Sequence, residues 1–234
     1  MIVARCLLAG VFVFGCASEP AADPTPSADA ASTGPDEWLI VPGDRIGPVT
    51  ADRSEADLLA LLGDSLVVAR DVYIGEGYCV PGTVVYPNTA DALEIVWRDS
   101  TRARPAFIEL SETGPDSVSR WHTIEGVRLG LTLPQLEVLN GKPFGFGGLG
   151  WDYGGWGGSW EEGALAAMGQ TVALRFAEHP DSAFAVSQDP NVGEIYGERP
   201  VRSDHPIARR AGIRVATIAL RLGPDDPDQQ RFCG

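Results

Sequence analysis

The chain has 234 residues, of which 32 are acidic and 18 basic, giving a formal net charge of −14. A field of this sign repels nucleic-acid phosphates and anionic lipid headgroups, so nucleic acid is excluded as an expected partner. The residues from Glu37 onward are enough for one substantial domain or two small ones.

The first 16 residues follow the order of a bacterial export signal: one arginine, Arg5, precedes an apolar run over residues 6–14. The run ends in Val13-Phe14-Gly15-Cys16, which resembles the lipobox of bacterial lipoproteins. In that family the cysteine receives a diacylglyceryl thioether and becomes the new N-terminus. The resemblance implies a signal peptide over residues 1–15, lipid attachment at Cys16 and a membrane partner through the lipid anchor.

Two alternatives stay open for this segment: an ordinary cleaved secretory signal, and a structural strand. In the lipoprotein resemblance, an aspartate directly after the cysteine marks retention in the inner membrane. Ala17-Ser18 lacks it, so the expected location is the cell envelope, at the outer membrane. Residues 16–36 begin with the lipidated cysteine and continue with a stretch rich in Pro, Ala, Ser and Asp that has no aromatic or large aliphatic side chain. This composition predicts a disordered, solvated tether.

Cys79 and Cys233 are the two cysteines that the signal and the lipid do not account for. In the oxidising compartment that an export signal implies, such a pair favours a disulfide, and the alternative is two buried free thiols. A bridge between positions so far apart would stabilise the fold by about 5 kcal/mol in the chain-entropy model. The spacing excludes CxxC redox chemistry and argues against a zinc ribbon.

Two segments of the body echo each other. Arg45-Ile46-Gly47 is followed by a leucine-rich stretch over residues 56–62 and Gly63, and Arg128-Leu129-Gly130 by a similar stretch over residues 134–140 and Gly141. Leucines spaced by three and four residues predict a short amphipathic helix in each segment, which ends at the glycine.

Short runs rich in Val, Ile, Tyr and Trp follow each predicted helix and indicate strands. They lie at residues 65–74, 83–86, 92–97, 106–111, 144–153, 171–176 and 213–222. The predicted fold is α+β, with two tandem repeats of short helices packed on one face of an antiparallel sheet. The first repeat is expected over residues 37–115 and the second over residues 116–234.

This order of elements is similar to the β-lactamase-inhibitor-protein-like fold, in which a helix that ends at glycine precedes antiparallel strands and the unit is repeated in tandem. Single-repeat relatives include small outer-membrane assembly lipoproteins, which also begin with a lipobox. The resemblance rests on Ile46-Gly47 with residues 58–63, and on residues 129–132 with residues 136–141. It carries no binding residues over, because those lie outside the matched motif. The alternative is a generic α+β domain with two coincidentally similar helices.

The segment over residues 144–163 has nine glycines and six aromatic residues in 20 positions. Flat aromatic rings beside flexible backbone suit a sugar ring or a peptide. The candidate ligand- or partner-binding residues are Trp151, Asp152, Tyr153, Trp156 and Trp160, with Trp97 and Trp121 as further contacts on the sheet. The alternative is that these rings fill the core.

No sequence pattern predicts a catalytic residue, a metal ligand or a cofactor. The three histidines are scattered, and His179-Pro180-Asp181 and Asp204-His205-Pro206 predict turns. The leading hypothesis is therefore a lipid-anchored, non-enzymatic binding module of the cell envelope, whose partner is an envelope protein or a glycan. The alternatives are a glycan-directed envelope hydrolase that uses carboxylates such as Asp152 and Glu161, and a purely structural lipoprotein.

Overall fold

The computed structural model describes residues 37–114, 116–224 and 229–233. The predicted signal peptide, Cys16 and the tether lie outside the described residues.

Strands outnumber helices in the described chain. The first half contains β1 (Leu39–Val41), β2 (Arg45–Ile46), β3 (Val49–Thr50), α1 (Glu55–Leu62), β4 (Val67–Gly75), β5 (Tyr78–Val85), β6 (Leu93–Trp97) and β7 (Pro105–Ser111). The second half contains β8 (His122–Thr123), α2 (Leu133–Asn140), β9 (Gly145–Gly147), β10 (Gly157–Ser159), β11 (Val172–Ala177), α3 (Pro180–Ser187), β12 (Pro200–Arg202), α4 (Pro206–Arg210), β13 (Arg214–Arg221) and β14 (Arg231–Phe232). The predicted mixed α+β class is confirmed, and sheet predominates.

The largest sheet has seven antiparallel strands, in the order β11-β13-β7-β6-β5 with β4 and β14 both paired to β5. Strand β4 runs along all of β5, whereas β6 pairs only with its Gly82–Val85 end and β14 with Tyr78 and Cys79. The sheet therefore combines strands from both halves of the chain. Two smaller sheets have the orders β3-β2-β1-β8 and β10-β9-β12.

The two predicted helices form where the leucine spacing places them. Ser54 caps α1: its hydroxyl accepts the N–H of Asp57, whose carboxylate accepts the N–H of Ser54 in return. At α2, the N–H of Thr132 donates to the side chain of Gln135. None of the described helices has the length and hydropathy needed to cross a bilayer.

The main core packs against the large sheet, and a smaller, separate cluster contains Val72, Val80, Val96 and Ala106. Rings expected at a binding surface are part of the main core. Trp97 and Trp121 are fully buried, so their prediction as surface contacts is wrong. The indole N–H of Trp97 donates to Thr83 Oγ1 at 2.9 Å, and that of Trp121 donates to the Asp91 carbonyl at 2.9 Å. With these partners, the rings can be buried without an unsatisfied polar group.

Both histidine–proline segments start helices. The prediction of a turn is wrong for His179-Pro180-Asp181, whereas the N–H of His205 donates to the Arg202 carbonyl and closes a turn just before α4. His179 caps α3, and its Nδ1 accepts the N–H of Asp181; His205 caps α4 and accepts the N–H of Ile207 in the same way. A proline at the first helical position has the φ that a helix needs, and its missing N–H costs no hydrogen bond there.

The predicted disulfide between Cys79 and Cys233 is confirmed, with the two Cα atoms 5.1 Å apart. It lies where β14 pairs with β5, in the register Arg231↔Cys79 and Phe232↔Tyr78. The bridge therefore fastens the segment after β14 to the start of β5, next to the turn between β4 and β5.

Candidate functional site

Within residues 144–153 only Gly145–Gly147 forms a strand, so the prediction of a strand through residue 153 is wrong. Two glycines beyond it are held close to a distant segment. A Cβ at Gly148 would collide with the carbonyl of Gly197, and one at Gly150 would lie 2.5 Å from the ring of Tyr196. Gly150 also has φ +83°, which favours glycine. The chain therefore runs alongside residues 195–199 at this point and then continues into a loop, residues 151–156.

This loop forms one wall of a cleft of about 270 Å³. We call it the Trp151 cleft, and define it by its lining residues. These are Leu149, Gly150, Trp151, Gly154, Arg175, Phe176, Ala177, Glu178, Tyr196, Ala216 and Thr217.

Arg175, on β11, ties the loop to the large sheet. Its Nε donates to the Gly154 carbonyl at 3.0 Å and its Nη2 to the Asp152 carbonyl at 3.2 Å. The guanidinium carbon lies 5.9 Å from the ring centroid of Trp156, within cation–π range. This side chain therefore sets the position of the loop relative to the sheet.

Glu178 and Tyr196 form a half-buried polar pair in the cleft. The Tyr196 hydroxyl donates to Glu178 Oε2 at 2.5 Å. Burial, and then this hydrogen bond to a carboxylate, raises the pKa of Tyr196 to about 12. Glu178 Oε1 is also buried, and it has no hydrogen-bond partner among the described residues.

Aromatic rings from three parts of the chain lie around the turn between β4 and β5. The Tyr153 hydroxyl hydrogen-bonds the Glu76 carboxylate, and this contact raises the pKa of Tyr153 above its usual value. The Tyr73 hydroxyl accepts the N–H of Gly77. We call Tyr73, Tyr78, Tyr153 and Phe232 the ring cluster.

The ring cluster is open to solvent. Tyr73 is 58% exposed, Tyr153 53% and Phe232 72%. Phe232 stacks on Tyr78 with the ring centroids 4.5 Å apart. Trp151 meets Tyr153 edge to face at 5.6 Å, so the ring cluster borders the Trp151 cleft.

Trp160 lies in a different place. Its half-buried ring packs on Phe144 with the centroids 4.9 Å apart, beside a separate, open groove of about 630 Å³. Glu161 and Glu162 also line this groove, and the Glu161 carboxylate accepts the hydroxyl of Ser159 at 2.8 Å. We call it the Trp160 groove.

The residues proposed from the sequence therefore divide between two sites. Trp151, Asp152, Tyr153 and Trp156 belong to one loop, which carries both the cleft wall and one ring of the cluster. Trp160 lines the other groove, with Glu161. The carboxylates considered for a hydrolase, Asp152 and Glu161, are thus separated: Asp152 is on the loop and Glu161 in the Trp160 groove.

Sequence reasoning missed several residues that complete these sites. Arg175, Glu178 and Tyr196 reach the cleft only because distant segments fold together, and no local pattern singles them out. The ring cluster had a usable signal: Tyr78 and Phe232 are direct neighbours of Cys79 and Cys233, so the predicted disulfide already implied that the two rings lie close together.

Among residues 37–114, 116–224 and 229–233, no group of three or more His, Cys, Asp or Glu side chains is arranged to hold a metal ion. Comparison of the chain with protein-family models, curated proteins and solved structures found no match.

Proposed function

We propose that the protein is a lipid-anchored, non-enzymatic binding module of the cell envelope, located at the outer membrane, and that its ligand is a glycan. The observation that carries the proposal is the ring cluster: three rings that are each more than half exposed lie around one turn. Single exposed apolar residues are ordinary on protein surfaces, so the support comes from the concentration of exposed aromatic rings around this one turn.

The chemistry of the ring cluster favours a sugar over an anionic partner. Aromatic faces pack against the C–H faces of sugar rings, and the Tyr73 hydroxyl and the Glu76 carboxylate beside them can exchange hydrogen bonds with sugar hydroxyls. The formal net charge of −14 disfavours polyanions. An envelope protein is the other partner that such rings can bind, and the experiment below distinguishes a glycan from a protein partner.

Lipid attachment at Cys16 and a tandem repeat of two α+β units are parts of the same proposal. The lipobox resemblance supports lipid attachment at Cys16. For the tandem repeat, α1 and α2 are eight residues each, and each is followed by a glycine with positive φ, Gly63 and Gly141. Gly47 and Gly130 of the two matching Arg-aliphatic-Gly segments also have positive φ.

A glycan-directed hydrolase is the second candidate, because Glu161 and Glu162 line one open groove with Trp160. Glycosidases need two carboxylates that face each other across the scissile bond, about 5–9.5 Å apart. Glu161 is already engaged by Ser159, which favours binding over hydrolysis. Release of reducing ends from a bound glycan would show hydrolysis and overturn the non-enzymatic proposal.

The test is sedimentation of the full chain in detergent with insoluble cell-wall polysaccharide. We expect Tyr153→Ala with Tyr73→Ala to weaken binding about tenfold or more, as expected when two contact rings are lost. Phe184→Ala is the matched control, since Phe184 is 78% exposed and lies on α3, outside the ring cluster.

Equal binding by the double variant and the control would overturn the role of the ring cluster. Failure to sediment with any polysaccharide, together with recovery of one envelope protein in a detergent pull-down that the double variant loses, would replace the glycan by a protein. Labelled palmitate should enter the wild-type chain and not Cys16→Ser. A Cys16→Ser variant that fractionates with membranes as the wild type does would overturn the anchor.

A further inference from the structure

The Trp160 groove has an aromatic ring in its wall that the rest of the chain holds in place. The ring packs on Phe144 with the centroids 4.9 Å apart, and a Cβ at Gly169 would collide with its Nε1. Asn140, which is 1% exposed, donates from Nδ2 to the Trp160 carbonyl at 3.0 Å. A ligand that packs on the open part of this ring therefore has little side-chain freedom to remove, which lowers the cost of binding.

Two glutamates follow this ring in a backbone conformation that does not favour them. The N–H of Gly163 donates to the Trp160 carbonyl at 2.8 Å and closes a turn with Glu161 and Glu162 at its centre, and these two have φ of 50° and 58°. Positive φ at both central positions is the pattern of type I′ turns, in which glycine, asparagine and aspartate predominate. Strain of this kind concentrates at functional sites, so the two carboxylates indicate a role beyond the turn itself.

The polar groups of the groove are open to a ligand. Glu162 and Gln170 are exposed, and neither side chain makes a hydrogen bond or an ion pair with the described residues. Glu161 is exposed as well; its Oε1 accepts the Ser159 hydroxyl at 2.8 Å, which leaves Oε2 outside that bond. The groove therefore offers acceptor oxygens and an amide on a surface that solvent reaches.

The chemistry of the lining favours a neutral sugar. An aromatic ring packs against the C–H face of a sugar, carboxylates accept its hydroxyls, and an amide both donates and accepts. Two carboxylates and no basic side chain are among the described lining residues, so an acidic sugar is repelled. Lys142 lies nearby, but its Nζ donates to the Glu161 carbonyl at 2.9 Å. The groove volume of about 630 Å³ lies within the range of about 300–1,000 Å³ that small-molecule sites occupy.

We propose that the Trp160 groove is a second glycan site, which packs one neutral sugar unit against Trp160 and exchanges hydrogen bonds with its hydroxyls through Glu162 and Gln170. This rests on the proposed function and deepens it, because it makes the ligand a neutral polymer that the protein holds at two points. Tyr153 of the ring cluster and Trp160 are seven positions apart, so their Cα atoms are at most about 25 Å apart. Two sites at such a distance bind one polymer more tightly than either site alone.

The test is calorimetry of the full chain in detergent with two soluble probes, a trimer of N-acetylglucosamine and a trimer of galacturonate. The first is neutral and the second acidic, and the number of trimers bound per chain counts the sites. We expect the wild type to bind two N-acetylglucosamine trimers per chain, and to bind the galacturonate trimer about tenfold more weakly or worse.

Variants at exposed positions assign the two trimers to their sites. Glu162→Ala with Gln170→Ala removes the free polar groups of the groove and should leave one trimer, bound at the ring cluster. Tyr153→Ala with Tyr73→Ala should leave the other trimer, bound at the groove.

The strain in the turn provides a variant that separates lost binding from lost folding. Glu161→Asn with Glu162→Gly has the residues that type I′ turns favour, so we expect the melting temperature to rise by about 2–4 °C while the groove trimer is lost. The matched control is Glu194→Ala with Gln188→Ala, which also removes a glutamate and a glutamine at exposed positions, but outside the groove lining, and should keep both trimers.

Each outcome decides between the groove and the ring cluster. If the wild type binds one trimer and the Tyr153 and Tyr73 double variant binds none, the groove is refuted while the glycan module stands. If that one trimer persists in the tyrosine variant and is lost in the groove variants, the groove is a glycan site and the role of the ring cluster fails. Two trimers retained in both groove variants refute the groove, and equal binding of the two probes refutes its preference for a neutral sugar. If no probe binds, both proposals fail.

Discussion

Two groups of aromatic residues in this protein lie in opposite environments. Trp97 and Trp121 are fully buried, whereas Tyr73, Tyr153 and Phe232 of the ring cluster are each more than half exposed. The buried indoles find their partners inside the protein, in the Thr83 hydroxyl and the Asp91 carbonyl. Tyr153 instead shares its proton with Glu76, on a turn at the surface. The strand order around each ring thus decides whether the ring belongs to the core or the surface, and each buried indole also has a partner for its N–H.

The largest expected difference between the buried and the exposed rings is in their contribution to the free energy of unfolding. Trp97→Ala should lower the free energy of unfolding by about 3–5 kcal/mol, because it leaves a large cavity in the core. Tyr153→Ala should change it by no more than about 0.5 kcal/mol, as exposed substitutions do. Urea denaturation followed by circular dichroism measures both values. Similar losses for the two variants would mean that Tyr153 is part of the core; Trp97→Phe serves if the alanine variant does not fold.

The disulfide sharpens the comparison, because its two cysteines are the chain neighbours of Tyr78 and Phe232 in the ring cluster. Loss of the bridge in Cys79→Ser with Cys233→Ser should cost about 2–5 kcal/mol of unfolding free energy. It should also loosen the contact of Phe232 with Tyr78, since among the described residues the two-residue strand β14 and the Arg231–Asp71 ion pair are then left to hold this segment. Denaturation with and without reductant measures the first effect.

The double serine variant is the control for that measurement, since reductant should not change it further. Polysaccharide binding measures the second effect. A reduced protein with undiminished binding would show that Phe232 contributes nothing to the ring cluster.

The smallest expected effect is a titration. The Tyr153 hydroxyl donates to the Glu76 carboxylate, so ionisation removes that contact and the folded-state pKa lies above the usual 10. The small stabilisation from this contact is present below pH 10 and is lost as the pH rises through the raised pKa. Glu76→Gln should return the pKa of Tyr153 toward its usual value.

Phenolate absorbance follows this titration, and Tyr153→Phe identifies the step. Tyr196, with its pKa of about 12, should not move, because its partner is Glu178. A wild-type Tyr153 that ionises at its usual pH would disprove the contact with Glu76.

Local patterns in the sequence predicted much of this fold. Leucine spacing located α1 and α2 near their observed bounds, Glu55–Leu62 and Leu133–Asn140, and alternation located β13. The prediction of a strand through residue 153 failed because Gly148 and Gly150 pack closely against Gly197 and Tyr196, which lie far away in the chain. The burial of Trp97 and Trp121 could not be predicted either, since it depends on the order of strands in the sheet rather than on adjacent residues in the sequence.

The candidate site divides in the same way. Trp151 and Tyr153 stood out by composition, and the loop that carries them does border a cleft. Glu178 and Tyr196 meet only in the folded protein, through a contact between residues 18 positions apart. A lone glutamate in a chain with 32 acidic residues gives no signal of its own.

The bond between Cys79 and Cys233 spans 154 positions of the chain and turns most of the body into a covalent ring. A protease that cuts once anywhere inside this ring opens it but frees no fragment, because both pieces stay joined through sulfur. Only a second cut, or a reductant, lets a piece diffuse away.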